Sequence, residues 1–206
     1  RMYEKVLNDY EKNRDGNKKF NASSLKLCIS GSVEMSCVVK SRFKKVFDRE
    51  IIEGYGMSES GITHCQKDGF NFEGSVGAPL LGVEYKLINL DQSKAGEILV
   101  KSPGLMKGYN NAENSEIFID SDGWLHTGDL GEISKNGELF LVGRKKDLIK
   151  SPQGENIYPS QIEQAIMSCA LVKEAAVVGK RVGDAEIVAA FVVLKSSLDM
   201  NIKGKE

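Results

Sequence analysis

The stretch IIEGYGMSESGITHCQ, residues 51–66, puts an aromatic ring, a hydroxyl and a carboxylate within five positions: Tyr55, Ser58 and Glu59. Tyr55 offers a flat face to a base or ring. Ser58 can donate to a phosphate oxygen, and Glu59 can hold a hard cation such as Mg²⁺. Gly54 and Gly56 are poor interior residues for a helix or strand, because glycine loses the most backbone freedom on ordering. The expectation is therefore a loop, carrying Met57 as well, at the end of a short strand begun by Ile51 and Ile52; the plain alternative is a tight turn with polar filler. In GWLHTGDLGEI (123–133), Asp129 stands between Gly128 and a strand. A carboxylate at a strand edge can accept both hydroxyls of a ribose, although taken alone an ordinary Gly-Asp turn is the simpler reading. In GRKKDLIKSPQGENIYP (143–159), Arg144, Lys145, Lys146 and Lys150 form a short basic run, usually a solvated face. Here Arg144 directly follows a strand, Asp147 interrupts the run, and Gly154 sits on a short loop where backbone can approach a ligand. In CISGSVE (28–34), a strand ends at Gly31-Ser32 and offers backbone to a planar ligand.

These groups need elements to hold them. Residues 2–12 place Met2, Val6 and Leu7 on one side at helical spacing. LKLCIS (25–30) reads as a buried strand, and 34–48 as a helix with Val38, Val39, Phe43, Val46 and Phe47 inward. Strand, helix, strand with a loop at each strand end is the pattern of a parallel α/β layer, where ligands gather beyond the carboxyl ends of the strands. After about residue 74 the texture changes to short, partly alternating segments broken by Gly, Asn and Asp, with a hairpin turn at KNGE (135–138). That middle third is expected to form a small antiparallel barrel or curled sheet, with Trp124 and Phe140 in its core. From Lys146, two short strands, a helix opened by Pro159 and two longer strands follow. The fold class is thus α/β plus a small β-barrel, in three pieces: 1–73, 74–145 and 146–206.

Composition narrows the function. Of 206 residues, 28 are basic and 29 acidic, a net charge of -1. That balance gives no field attracting nucleic acid or an acidic membrane surface. The four cysteines have no CxxC spacing and no partnering histidines, so a reduced, cytoplasmic chain with its cysteines buried as small hydrophobes is expected; peripheral membrane attachment stays open. The longest apolar run, IVAAFVVL (187–194), is too short to span a bilayer. No charged leader precedes an apolar segment. The chain opens on RMYEKVLNDY without an initiator methionine and stops at NIKGKE, from which a piece of a longer protein is expected. His64 and His126 are read as hydrogen-bonded turn or site-edge residues with no proton-transfer role.

Taken in order, the motifs resemble the acyl-adenylate-forming superfamily: acyl-CoA synthetases, luciferase-like enzymes and the adenylation domains of peptide synthetases. YGMSE (55–59) looks like the family's Tyr-Gly-x-Thr/Ser-Glu motif, TGD (127–129) like its ribose-binding motif, and GRKKDLIK (143–150) like its hinge motif. SVGAPLLGVEYKL and GEILVKSPGLMKGYNN resemble its barrel strands. The resemblance implies an adenine slot from Gly31, Ser32, Gly54 and Tyr55, continued by Gly56 and Met57 of the same nucleotide-binding stretch. It puts Ser58 on the α-phosphate, Glu59 on Mg²⁺, and Asp129 and Arg144 on the ribose. Lys146 falls on the pivot of a mobile C-terminal domain, of which 146–206 would be the start. Lys150 and Gly154 would enter the site only for the second, thioester-forming step. ATP, Mg²⁺ and coenzyme A are the implied cofactors and co-substrates, and a small carboxylic acid the substrate. The three-residue spacer SPQ between Lys150 and Gly154 looks more like fatty acyl-CoA synthetases than luciferase-like relatives.

Two parts of the family pattern are missing from this sequence. No Ser/Thr/Gly-rich loop with a lysine stands upstream to cradle the β- and γ-phosphates, and NASS and GSVEMS lack the glycines and the lysine. The lysine that promotes adenylation should come tens of residues after FVVLK, and Lys205 comes too soon. The 206-residue chain alone is therefore expected to be inactive as a ligase. Two further readings remain: a carrier-protein-loading adenylation domain, and a non-catalytic nucleotide-binding or interaction module.

Overall fold

The computed structural model describes residues 2–13, 23–31, 35–67, 72–88, 94–110, 118–151, 154–169, 171–183 and 185–195. The helices are α1 (Met2–Asn13), α2 (Cys37–Phe47) and α3 (Pro159–Met167). The strands are β1 (Cys28–Ser30), β2 (Ile51–Met57), β3 (Gly61–Cys65), β4 (Ser75–Pro79), β5 (Glu84–Ile88), β6 (Gly96–Lys101), β7 (Phe118–Ile119), β8 (Leu125–Ile133), β9 (Leu139–Arg144), β10 (Ile149–Lys150), β11 (Asn156–Ile157), β12 (Val172–Val182) and β13 (Ala185–Leu194). The large mixed sheet runs β1-β2-β3-β4-β9-β8-β6-β5, with β7 on β8. Among the described residues no pairing joins β5 back to β1, so the sheet is open. Two compact units divide the chain: Arg1–Lys86 with Leu99–Thr127 and Glu132–Leu141, and Leu87–Ile98 with Gly128–Gly131 and Val142–Glu206.

The first unit begins with the expected strand-helix-strand. β1 pairs parallel with β2, Cys28 opposite Ile51, and α2 crosses between them. α2 ends where Asp48 adopts φ 52°, its N–H returning to the Lys44 carbonyl at 2.8 Å, and Lys44 and Lys45 favour the negative end of the helix dipole. The core here joins Leu7, Cys28, Val39, Phe43, Phe47 and Ile51. Edge-on aromatic pairs, Tyr3–Phe43 at 5.1 Å and Tyr10–Phe47 at 5.5 Å, lock α1 on α2. Each such side chain, fully buried, contributes on the order of 1.5–3 kcal/mol.

Two faces are rotated from the expectation. On α1 the inward stripe is Tyr3, Val6, Leu7 and Tyr10, while Met2 is 67% exposed; positions 3, 6, 7 and 10 follow the 3.6-residue period, and position 2 does not. On α2, Val39 faces in and Val38 is 66% exposed, since one residue is 100° of rotation. Trp124 and Phe140 are only half-buried; the alternating neighbours Leu125 and Leu139 take the core positions. Trp124 instead lies beneath two ammonium groups, Lys86 at 4.2 Å and Lys101 at 4.6 Å. Of the cysteines, Cys28 alone is buried; Cys37 and Cys169 are exposed and Cys65 is intermediate.

The KNGE turn closes as expected, with Gly137 at φ 79° and Ser134 N–H donating to the Glu138 carbonyl at 2.9 Å. In the second unit, β10–β11 and β12–β13 are antiparallel pairs, and Pro159 occupies the first turn of α3. Glu163 of α3 accepts the Val177 N–H of β12 at 2.7 Å.

Candidate functional site

GYGM is strand, not loop. β2 continues through Gly54, Tyr55, Gly56 and Met57, and pairs antiparallel with β3, Gly54 opposite Cys65 and Met57 opposite Gly61, with a register shift between Tyr55 and Gly56. Close approach explains the glycines. A Cβ on Gly56 would lie 2.2 Å from the Gly61 carbonyl oxygen and 2.6 Å from Ile62 Cα, and one on Gly54 would lie 3.3 Å from the His64 carbonyl oxygen. At Gly56 only glycine admits a neighbouring backbone that near, whereas at Gly54 the contact is tight. Gly31, just past β1, sits beside this strand: its Cβ would meet the Gly54 carbonyl at 3.5 Å. Ser32 lies outside the described residues.

The turn Ser58–Ser60 follows. Ser58 is exposed and Glu59 half-buried, while Tyr55 is 8% exposed and Ser60 2% exposed. Three donors of the segment 102–109 reach this turn. Ser102 Oγ donates to the Ser60 carbonyl at 2.6 Å, Met106 N–H to the Glu59 carbonyl at 2.8 Å, and the Tyr109 hydroxyl to Glu59 Oε1 at 2.5 Å. On β3, His64 is fully buried, its Nδ1 3.1 Å from Thr63 Oγ1 and its ring edge-on to Tyr85 at 4.7 Å. Burial pulls its pKa down to about 4, so the ring is neutral at pH 7. His126, on β8, stacks on Phe118 and lies 3.5 Å from Asp120. The Asp120 carboxyl is held below its ordinary pKa, chiefly by the Trp124 N–H it accepts.

The second unit holds the other assigned residues. Asp129 does not sit in a turn: it is 7% exposed in the middle of the nine-residue β8, just after Gly128 at φ 69°. Arg144, the last residue of β9, places Nε 2.8 Å from Asp129 Oδ1. The next residues, Lys145–Asp147, form a 3-10 turn that carries Lys146. Lys145 Nζ reaches the buried carboxylate of Glu97 at 2.8 Å. Ser160 Oγ donates to the Val142 carbonyl at 2.5 Å, and Leu148 and Tyr158 pack on Ala95, Leu130 and Val142. Lys150 is exposed on β10, its ammonium bonded to Asn156. Gly154, at φ 84°, closes the β10–β11 hairpin by donating to the Ser151 carbonyl at 2.8 Å.

The structure thus brings together Gly31 with the run Gly54–Glu59, Asp129 with Arg144, and Lys150 with the hairpin whose turn holds Gly154. Three residues with clear structural roles were not singled out from sequence. Tyr109 holds Glu59; the signal available was an aromatic directly after a glycine, as at Tyr55. Glu53 and Glu97 are buried carboxylates inside apolar strand runs, a placement that requires a partner. Glu53 accepts the Met35 N–H at 2.7 Å and pairs with Lys40.

A cleft of about 270 Å³ in the first unit is lined by Cys37, Lys40, Lys44, Gln66, Phe72 and Glu73, among others, and includes none of the assigned residues. Its charged walls are satisfied: Lys40 by Glu53, Lys44 by Glu50, and the Cys37 thiol by Glu73 at 2.7 Å. That hydrogen bond holds the thiol above its ordinary pKa. Among the described residues no three His, Cys, Asp or Glu side chains gather as a metal cage, and no helix is long and apolar enough to cross a membrane.

Residues 1–110 match the family model of the AMP-binding enzyme. The chain belongs to the AMP-binding enzyme family. Residues 161–205 match the model of the AMP-binding enzyme C-terminal domain. Among relatives of this chain, a long-chain-fatty-acid–CoA ligase of Bacillus subtilis is 38% identical over 187 residues, which cover 85% of this chain and 33% of the relative. A 4-coumarate–CoA ligase of Oryza sativa is 34% identical over 186 residues, 82% of this chain and 33% of its own. Among solved structures, O-succinylbenzoate coenzyme A synthetase from Bacillus subtilis, in complex with ATP and magnesium ion, superposes with a TM-score of 0.78 at 30% identity, covering 94% of this chain and 40% of that one. The chain spans about a third of the length of the curated relatives it matches.

Proposed function

We propose that this chain supplies part of an ATP-dependent acid–thiol ligase of the fatty acyl-CoA synthetase type. The observation that carries the reading is Asp129: a carboxylate 7% exposed in mid-strand, with Arg144 Nε 2.8 Å away. A carboxylate held in that way suits two ribose hydroxyls, with the guanidinium fixing its orientation. In the first unit, Gly31, Gly54, Tyr55, Gly56 and Met57 would line the adenine, and Ser58 would donate to the α-phosphate. Ser32, outside the described residues, keeps the same assignment by resemblance. Residues 1–73 would be the end of a large α/β layer, 74–145 a barrel-like subdomain, and 146–206 the start of a mobile domain pivoting at Lys146. Lys150 and Gly154 would serve the thiol step.

The donor set of the Ser58–Glu59 turn fits Mg²⁺. A single half-buried carboxylate beside an exposed hydroxyl, without an all-protein cage, is what this small cation uses when it keeps waters and bridges substrate phosphates. Glu59 would hold it there, and the metal would supply charge to the α-phosphoryl oxygens. In the first step a carboxylate oxygen attacks the α-phosphorus of ATP and the bond to pyrophosphate breaks, leaving an acyl-adenylate. In the second, the thiol sulfur of coenzyme A attacks the acyl carbon, AMP departs, and the thiol proton passes to solvent. The fatty acid and the coenzyme A thiol are proposed from the similarity to the long-chain-fatty-acid–CoA ligase of Bacillus subtilis.

The test is pyrophosphate release and thioester formation with a fatty-acid series, ATP, Mg²⁺ and coenzyme A, in the complete reading frame containing this chain. Asp129→Ala and Glu59→Gln are each expected to lower turnover by about a hundredfold, the scale of losing one oriented electrostatic group; wild-type turnover in both would overturn the proposal. The 206-residue chain by itself is expected to give none, and clear turnover would show the missing phosphate loop to be dispensable.

A further inference from the structure

We infer that Tyr109 is a positioning residue for Glu59, and that the segment Ser102–Tyr109 is the strap that sets the Ser58–Ser60 turn. This rests on the proposed role of Glu59 toward Mg²⁺. Two of the strap's contacts fix the turn backbone: Ser102 Oγ on the Ser60 carbonyl at 2.6 Å and Met106 N–H on the Glu59 carbonyl at 2.8 Å. The strap must lie close for this, and Gly104 permits it, since a Cβ there would be 3.1 Å from the Ser60 carbonyl oxygen. The strap is itself folded by Ser102, whose carbonyl accepts Leu105 N–H at 3.2 Å and whose Oγ accepts Gly104 N–H at 3.2 Å.

The third contact differs in kind. A turn already held by two backbone bonds does not require a hydrogen bond to the Glu59 side chain. The Tyr109 hydroxyl nevertheless donates to Glu59 Oε1 at 2.5 Å, across fifty positions of sequence. A free glutamate side chain has several rotamers to lose on binding a cation. The phenol removes that freedom beforehand and occupies one oxygen, which orients the other as a single-oxygen ligand. Small hydrated cations accept that kind of ligation, and pre-orienting a ligand raises affinity without adding a contact.

The experiment uses the 206-residue chain with ATP and Mn²⁺ in place of Mg²⁺. Free Mn²⁺ is followed by electron paramagnetic resonance, and paramagnetic broadening of the amides 58–61 by NMR. Tyr109→Phe keeps the ring at a position 39% exposed and is expected to weaken Mn²⁺ binding about three- to tenfold, the scale of losing one ordinary hydrogen bond. Metal-free nucleotide binding should be unchanged, and the Tyr109→Phe/Glu59→Gln double variant should be no weaker than Glu59→Gln alone. If Glu59→Gln weakens binding while Tyr109→Phe matches wild type, or the two effects add, the positioning role is overturned and the metal role of Glu59 stands. If Glu59→Gln binds Mn²⁺ as wild type does, or wild type shows no broadening at 58–61, both readings are overturned.

Discussion

Replacing Gly31, Gly54 and Gly56 each by alanine gives a graded test of how the nucleotide strand is built. None of the three has a positive φ, so alanine is conformationally acceptable at each and only space differs. Among the described residues the Cβ added at Gly31 meets its nearest atom at 3.5 Å, an ordinary contact, and the one at Gly54 at 3.3 Å. At Gly56 it would meet the Gly61 carbonyl oxygen at 2.2 Å and Ile62 Cα at 2.6 Å. Gly31→Ala should be neutral or stabilising by about 0.4–1 kcal/mol, because it restricts the unfolded chain. Gly54→Ala should cost roughly 1 kcal/mol. Gly56→Ala must push β3 away by on the order of 1 Å, with loss of the pairs Gly56–Ile62 and Met57–Gly61, and should cost about 3 kcal/mol or more. In a chain of this size that lowers Tm by about 6–12 °C. Circular dichroism melts read the series, and amide exchange at 58–61 locates the damage. A Gly56→Ala variant within about 0.5 kcal/mol of Gly31→Ala would refute the close-approach argument.

His64, neutral in the fold with a pKa near 4 against an ordinary 6.5, takes up a proton in the unfolded chain before it does so in the folded one. Its contribution is therefore complete above pH 6.5 and is lost as pH falls toward 4; at pH 4.5 the loss is about 2–3 kcal/mol. Urea melts at pH 7 and 4.5 should show that much less pH dependence in His64→Leu than in wild type, and equal dependence would contradict it. Glu97 is 3% exposed beside a half-exposed Lys145, so Lys145→Met leaves a buried carboxylate short of its cation and should cost about 1–2 kcal/mol. Adding Glu97→Gln should recover part of that loss; strictly additive costs would mean that the pair is not coupled.

The sequence made the element types legible and misjudged some of their faces. The parallel β1–β2 pair, the KNGE hairpin and the Pro159 helix start all follow local signals that the fold respects. GYGM is strand rather than loop because the absent glycine side chain lets β3 approach, which outweighs glycine's low strand propensity. TGD failed as a turn for a related reason: Gly128 takes a turn-like φ while the strand runs on through Asp129. Trp124 looked like core because it is large and apolar, but two lysines make an exposed indole face favourable. The site residues were legible as motifs, whereas their supports were not. Tyr109–Glu59 and Lys145–Glu97 join distant positions, and no local pattern marks such partners.

The most direct measurement of the central claim is a titration of the ¹⁵N-labelled chain with AMP, followed residue by residue by NMR. Saturable shifts are expected at Gly54–Glu59 and at Asp129 and Arg144, abolished at the latter pair by Asp129→Ala. Saturable shifts confined to the Cys37–Glu73 cleft, or none at either set of residues, would contradict it.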